Sequence, residues 1–176
     1  MNQLFPPNMD TTSSLHAELI REVNLRLHVE SLPRILSCLD QLSDEQIWWR
    51  PNESSNSIGN LILHLSGNVR QWIGSGLGGL PDARKRQAEF DERNPITRAD
   101  LVRILTGTMT IAREIIEHIP ESELLRKRPV QTFRESGLSI LIHVTEHFSY
   151  HTGQIAYITK MITDRSLDFY KGVSLE

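Results

Sequence analysis

The sequence predicts an all-α protein, a four-helix bundle whose long helices are joined by short helical turns. Two observations carry the prediction. Four long stretches repeat apolar residues at the helical period, and no stretch sustains the period-2 alternation of a half-buried strand. A weaker observation points the same way: the chain divides into similar halves, each with a long helix, a short turn ending in Arg-Pro and a helix opening with Ser-Ile. The pairs are Arg50-Pro51 with Ser57-Ile58, and Arg128-Pro129 with Ser139-Ile140. At 176 residues the chain can bury a full core as one domain, 1–176.

Residues 1–11, with Pro6 and Pro7, read as a flexible N-terminal arm. Thr12, Ser13 or Ser14 can cap a first helix carrying Leu15, Leu19, Val23, Leu27 and Val29. Pro33 predicts a kink or restart before Ile35, Leu36 and Leu39. In SDEQIWWRP, Ser43 and Gln46 have capping-box spacing for one short helical turn, ended by Pro51. The polar loop NESSN leads to a second helix, capped by Asn56 or Ser57, with Ile58, Leu61, Ile62, Leu65, Val69, Trp72 and Ile73 as its core stripe. His64 lies at the edge of that stripe, able to reach a neighbouring helix without being fully enclosed. The glycine-rich run from Gly74 to Pro81 ends the helix.

The polar segment Asp82 to Pro95 has no period and reads as a surface excursion pinned by Phe90. Thr97 caps a third helix, with Leu101, Ile104, Leu105, Thr108, Ala112, Ile115 and Ile119 on its inner face and Pro120 at its end. PESELLRKRP is a further short turn closed by Arg-Pro. The fourth long helix is Gly137 to Thr163, and Leu167, Phe169 and Tyr170 of the tail are expected to dock back on the body.

Composition excludes several classes of function. The formal net charge is −3 with both signs interspersed, which gives no reason to expect nucleic acid or an anionic membrane as partner. No apolar run approaches the roughly 20 residues that span a bilayer, and the start lacks a basic region followed by an apolar stretch. Cys38 is the single cysteine, so no internal disulfide can form. It reads as a small buried apolar residue in a reducing, cytoplasmic protein.

The fourth helix carries the chemistry. At about 100° per residue, Ile140, Val144, Ile155, Ile158 and Ile162 fall within roughly 60° of one another. His147 and His151 lie in the middle of this stripe, four residues apart and so about 40° apart around the axis. Removing two imidazoles from water costs free energy unless something bonds them, and i, i+4 histidines converge on a divalent metal. His64 on the second helix is the candidate third ligand, giving three imidazoles and an open position for water or substrate. His143, Glu146 and His147 spell H-x-x-E-H, the inverted zinc-protease pattern. Yet His143 and Glu146 fall about 60° and 120° from the stripe's centre, which makes His143 a flanking group and Glu146 a solvated or interface carboxylate. Gln154 shares the face of the pair and can bond a metal-bound water, a substrate or a neighbouring helix; with His143 it is a candidate to support the ligands or touch substrate. Trp48, Trp49 and Tyr150 read as core aromatics, with the lining of an apolar pocket as the alternative. His16, His28 and His118 have no partner at ligand spacing.

The combination SIGNLILHL … EHFSYHTGQI resembles the DinB-like superfamily, also called YfiT-like, whose members are described as metal-dependent hydrolases. Trp49 to Pro51 and Glu89-Phe90 look family-like too. The resemblance implies an up-down-down-up-like bundle holding a divalent metal through three histidines. Carried over by position these are His64, His147 and His151, with Gly153 and Gln154 completing the H-x-x-x-H-x-G-Q motif. It also implies a homodimer and, from characterised relatives, a small-molecule substrate with a low-molecular-weight thiol as partner. The expected activity is therefore metal-dependent: a thiol or water activated against a small electrophile, in a thiol S-transferase or hydrolase. A non-catalytic bundle with a structural or vestigial metal site is the alternative, since no residue reads as a convincing general base. Three imidazoles suit zinc, nickel, copper or iron; zinc or nickel is the expected ion.

Overall fold

The computed structural model describes residues 14–93 and 95–172; the expected N-terminal arm lies outside them, as do Thr12 and Ser13 as candidate caps. Ser14 is the cap that forms, its hydroxyl accepting from the Ala17 N–H at 3.1 Å. It starts α1 (Leu15–Asn24), which runs through a π-helical segment, Leu25–Ser31, into α2 (Leu32–Asp40). Pro33 sits in the first turn of α2. Its ring would crowd the carbonyl four residues back and it donates no N–H, so the expected kink takes the form of a widened turn just before it.

Helix α3 (Asp44–Trp48) opens with the complete Ser43–Gln46 capping box. Helix α4 (Ile58–Val69) is capped by Ser57, whose hydroxyl accepts from the Asn60 N–H. A second π-helical segment, Arg70–Leu77, extends α4 and stops at Gly78 and Gly79, the latter at φ 70°. The excursion that follows contains a short helix, α5 (Arg86–Asp91). Helix α6 (Arg98–His118) has the expected Thr97 cap, and α7 (Glu121–Leu125) follows it.

One expectation fails here. Lys127–Val130 (β1) and Phe133–Ser136 (β2) form an antiparallel hairpin, with Lys127 opposite Ser136 and Val130 opposite Phe133. Each strand is only four residues long, too short for a periodic signal, and Gln131 rather than glycine takes the left-handed turn position at φ 50°. The second Arg-Pro therefore lies in a strand and not in a helical turn, so the likeness between the halves stops at the helices.

Helix α8 (Gly137–Thr163) packs on α4 and on α2; α6 packs on α4 and on α1, which closes the four long rods into a bundle. Leu27, Ile35, Leu39, Ile62, Leu65, Leu105, Met109, Ile140, Val144 and Phe148 are fully buried in its centre, each worth about 1.5–3 kcal/mol against exposure. The buried face of α8 also includes Leu141, Phe148, Thr152 and Thr159, while Ile158 and Ile162 are half-buried. This rotates the core side of the helix away from the expected stripe, and His147 and His151 lie at its edge, facing α4, instead of at its middle. Cys38 is buried as expected, and burial pushes its thiol pKa up. Leu167 and Phe169 pack on the core, with the Arg34 guanidinium over the Tyr170 ring at 5.3 Å. Trp49 and Tyr150 are not core aromatics: they are 41% and 63% exposed. Trp48 is half-buried and donates its indole N–H to the Ile96 carbonyl at 2.9 Å. Among the described residues no helix is long and apolar enough to cross a membrane.

Candidate metal centre

Helix α4 carries His64 and helix α8 carries His147 and His151, and the packing of the two helices brings all three rings together. The Nε2 atoms of His64 and His147 are 3.1 Å apart, and those of His151 and His147 3.2 Å. One ring nitrogen from each residue lies within 4.8 Å of the others. Two imidazoles at about 2.05 Å from one ion in tetrahedral geometry would stand about 3.3 Å apart, close to both short separations.

The protons on these rings decide what the cluster can hold. His64 Nδ1 lies 3.0 Å from Glu89 Oε2. The carboxylate can only accept, so Nδ1 carries the proton and Nε2 presents a lone pair. Arg84 Nη2 is 3.1 Å from the same nitrogen, but its two N–H groups have oxygen acceptors in Glu89 Oε2 at 2.8 Å and the His64 carbonyl at 3.5 Å. His151 Nδ1 likewise donates to Gln154 Oε1 at 2.7 Å, leaving its Nε2 as an acceptor. His147 Nε2 thus faces two lone pairs and could donate to only one of them. Burial, reinforced by His151 and His64, pushes the His147 pKa down to about 3, so a second proton on that ring is not the remedy at neutral pH. A divalent cation between three lone pairs satisfies the set, and the donors fit it.

The excursion is what encloses this site. Against the open edge expected for it, His64 is 4% exposed, because α5 lies across it. Phe90 places its ring 4.7 Å from the His64 ring. Asn60 anchors the backbone of the excursion, donating to the carbonyls of Glu89 at 2.9 Å and Glu92 at 3.1 Å. Arg84 grips the Glu89 carboxylate with two groups, Nε to Oε1 at 2.7 Å and Nη2 to Oε2, with both side chains nearly buried. Burial alone would raise the Glu89 pKa, but the hydrogen bonds from Arg84 and His64 outweigh it and hold the carboxylate below its ordinary range. Arg84 also donates to Gln71 Oε1 at 3.0 Å, an oxygen shared with the Gln131 amide of the hairpin turn at 2.6 Å. Gly67, one turn beyond His64, makes room for all this: a Cβ there would strike the Glu89 carboxylate.

His143 is not a member of the cluster. Its ring stacks on Trp72 with centroids 3.8 Å apart and lies 5.5 Å from the His147 ring, a flanking position as expected. Burial lowers its pKa against the opposing charges of Glu146 and Glu135. Glu146 is exposed. Gln154 bonds the ring of His151 on its own helix, a position from which it supports one of the three imidazoles. His16 and His118 bond the carbonyls of Ile119 and Glu114. Sequence reasoning misses Arg84, Glu89 and Gln71 as parts of the site. A glycine in the middle of an apolar helix, at position 67, is the one local sign that another segment approaches closely there.

A bundle of this architecture with three clustered histidines on two of its helices defines an all-α protein with a candidate metal centre. The chain belongs to the family described as protein of unknown function (DUF1572), whose model matches residues 20–173. It is similar in structure to a DinB-like protein from Bacillus subtilis, with a TM-score of 0.64 and 16% identity, covering 89% of this chain and 99% of that one. A conserved protein from Enterococcus faecalis is similar at a TM-score of 0.65 and 15% identity, covering 90% of this chain and 100% of that one. At such identities the likeness concerns the fold. No curated protein matches the chain.

Proposed function

We propose that the chain binds one divalent transition metal, zinc or nickel, through Nε2 of His64, His147 and His151, and that it is a metal-dependent enzyme acting on a small electrophilic molecule. The observation that supports this reading is the convergence of three ring nitrogens at 3.1 and 3.2 Å with two of the three Nδ1 protons already assigned to acceptors. When bound, such an ion supplies Lewis acidity that brings the pKa of water toward about 7 and deprotonates a thiol outright. Residues of the chain hold the His64 and His151 imidazoles in the required tautomers. They also screen one side of the site with Phe90 and the Arg84–Glu89 pair, and leave three protein donors, so that a thiol or water can be the nucleophile.

One observation favours a second reading, a structural or vestigial metal in a binding protein. The carboxylate nearest the cluster, Glu89, is fully engaged by Arg84 and His64, which leaves it no capacity as a general base. Elemental analysis of untreated protein and cobalt substitution separate the two. The enzyme reading expects about one metal per chain and a cobalt spectrum that shifts when a thiol is added. A cobalt spectrum indifferent to thiols, with a large loss of thermal stability on chelation, assigns the metal a structural role. Protein that carries and takes up no metal sinks both.

The homodimer is proposed on the exposed apolar residues Ile142, Tyr150, Tyr157 and Met161, which share one side of α8. Sedimentation at low and high protein concentration tests it.

A further inference from the structure

We propose that the cleft beside the imidazole cluster is a binding site for a small zwitterion, a molecule of amino-acid size carrying one carboxylate and one protonated amine on an apolar body. The inference gives the proposed function a substrate class. It rests on that reading only in making the bound molecule a substrate.

The cleft has a volume of about 350 Å³ and reaches His64 and His147 at one end, a size in the range of small-molecule sites. Its walls come from four parts of the chain: α4 with its π-helical extension, the excursion, the hairpin and α8. Trp72 and Phe133 form an aromatic wall with ring centroids 6.4 Å apart, and His143 stacks on Trp72. Four side chains of this lining carry a buried polar atom with no partner: Asn68 Oδ1, Trp72 Nε1, His143 Nε2 and His147 Nδ1. Asn68 and Trp72 are 4% and 5% exposed. Buried polar atoms rarely lack partners, and four around one cleft point to a molecule that belongs there.

Charge then narrows the class. Arg84 lines the cleft but is spent on Glu89 and Gln71. Two charged groups of the lining remain. Arg86 touches only the face of Phe90, at 4.8 Å, and Glu135 accepts only from the Ser139 hydroxyl, at 2.6 Å. Among the described residues neither forms an ion pair. A simple anion would gain Arg86 and meet Glu135, and a simple cation the reverse; a molecule with both charges satisfies the two together. The aromatic wall of the same cleft suits an apolar body.

The test uses the full chain, as purified and after chelation, with L-methionine, N-acetyl-L-methionine and L-methionine methyl ester as matched probes. The readout is the NMR signal of the Trp72 indole N–H. L-Methionine is expected to move that signal in both samples and to bind about tenfold more tightly than either blocked derivative, as befits loss of one charge-assisted hydrogen bond. Arg86→Gln should remove the preference over the ester, and Glu135→Gln the preference over the acetylated probe. Equal binding of the three probes overturns the proposal. So does a response confined to metal-loaded protein, indifference to both substitutions, or no response to L-methionine. Zinc titration of the same samples keeps the two readings apart: failure to bind zinc sinks the metal centre, while the probe series still decides what the cleft binds.

Discussion

Helix α8 and the excursion from Asp82 to Arg93 face the same imidazoles and do so by opposite means. In α8 the donors follow from period: His147 and His151 are one turn apart on a 27-residue helix whose core residues hold it whether or not the imidazoles are present. The excursion has no period and its six-residue helix buries no residue fully. It is held by side-chain contacts: Asn60 on its backbone, Phe90 on His64, and the Arg84–Glu89 pair. The rigid element sets where two ligand atoms sit and, through Gln154, which proton His151 carries; the irregular one sets the proton of His64 alone.

The largest effect should come from α8. His147→Ala or His151→Ala is expected to abolish metal retention after chelation and reloading, with helical circular dichroism unchanged, because the imidazoles lie at the edge of the buried face. A variant that still holds one metal per chain would remove the basis of the contrast. In the excursion, Glu89→Ala should lower metal affinity by about 10–100-fold, as loss of a group that orients a ligand commonly does. It should also destabilise the fold by about 3 kcal/mol, since Arg84 is left nearly buried without its partner. Competition with a chromophoric chelator and urea unfolding measure the two. Gly67→Ala tests the same contact from the other side. Its Cβ displaces the Glu89 carboxylate, so affinity should fall in the same direction by less, although alanine itself favours the helix by about 1 kcal/mol. Unchanged affinity in Gly67→Ala would mean that the excursion does not press on α4 in solution.

The same contrast explains what could be read from the sequence. The four rods, the caps at Ser43, Ser57 and Thr97, and the burial of Cys38 follow from local rules, and the structure has them all. The pairing of His147 with His151 is local too. His64 joins them through spacing and family likeness, not through any property of its own helix. Glu89 cannot be found that way: its partner His64 is 25 residues distant and its other partner, Arg84, five. In a polar stretch a carboxylate that will be enclosed looks like one that will stay in water. The hairpin escapes for a related reason, since backbone pairing over four residues leaves no pattern in side chains such as Arg128 and Glu135. Trp49 and Tyr150 show the reverse error, in which aromatic character is taken for burial although both side chains are exposed.

The smallest expected effect concerns a histidine without partners. His28 lies in the π-helical segment Leu25–Ser31, its Nε2 buried and unbonded, and burial, aided by the charge of Arg113, pushes its pKa down to about 4. Like His147 it is a neutral enclosed imidazole; unlike His147 it faces no other ring nitrogen, and this separates a packed side chain from a ligand. The consequence is confined to stability. In the unfolded chain His28 titrates near 6.5, so between about pH 6.5 and 4 the unfolded state binds a proton that the folded state refuses, and stability falls as the pH is lowered through that window. One proton corresponds to a slope of about 1.4 kcal/mol per pH unit at most. His28→Leu should therefore flatten the acid limb of urea-unfolding stability in metal-free protein and leave zinc affinity at neutral pH untouched. A slope that does not change would show that His28 is charged or solvated in the folded protein. A loss of zinc binding would show that the distinction between the lone imidazole and the cluster is false.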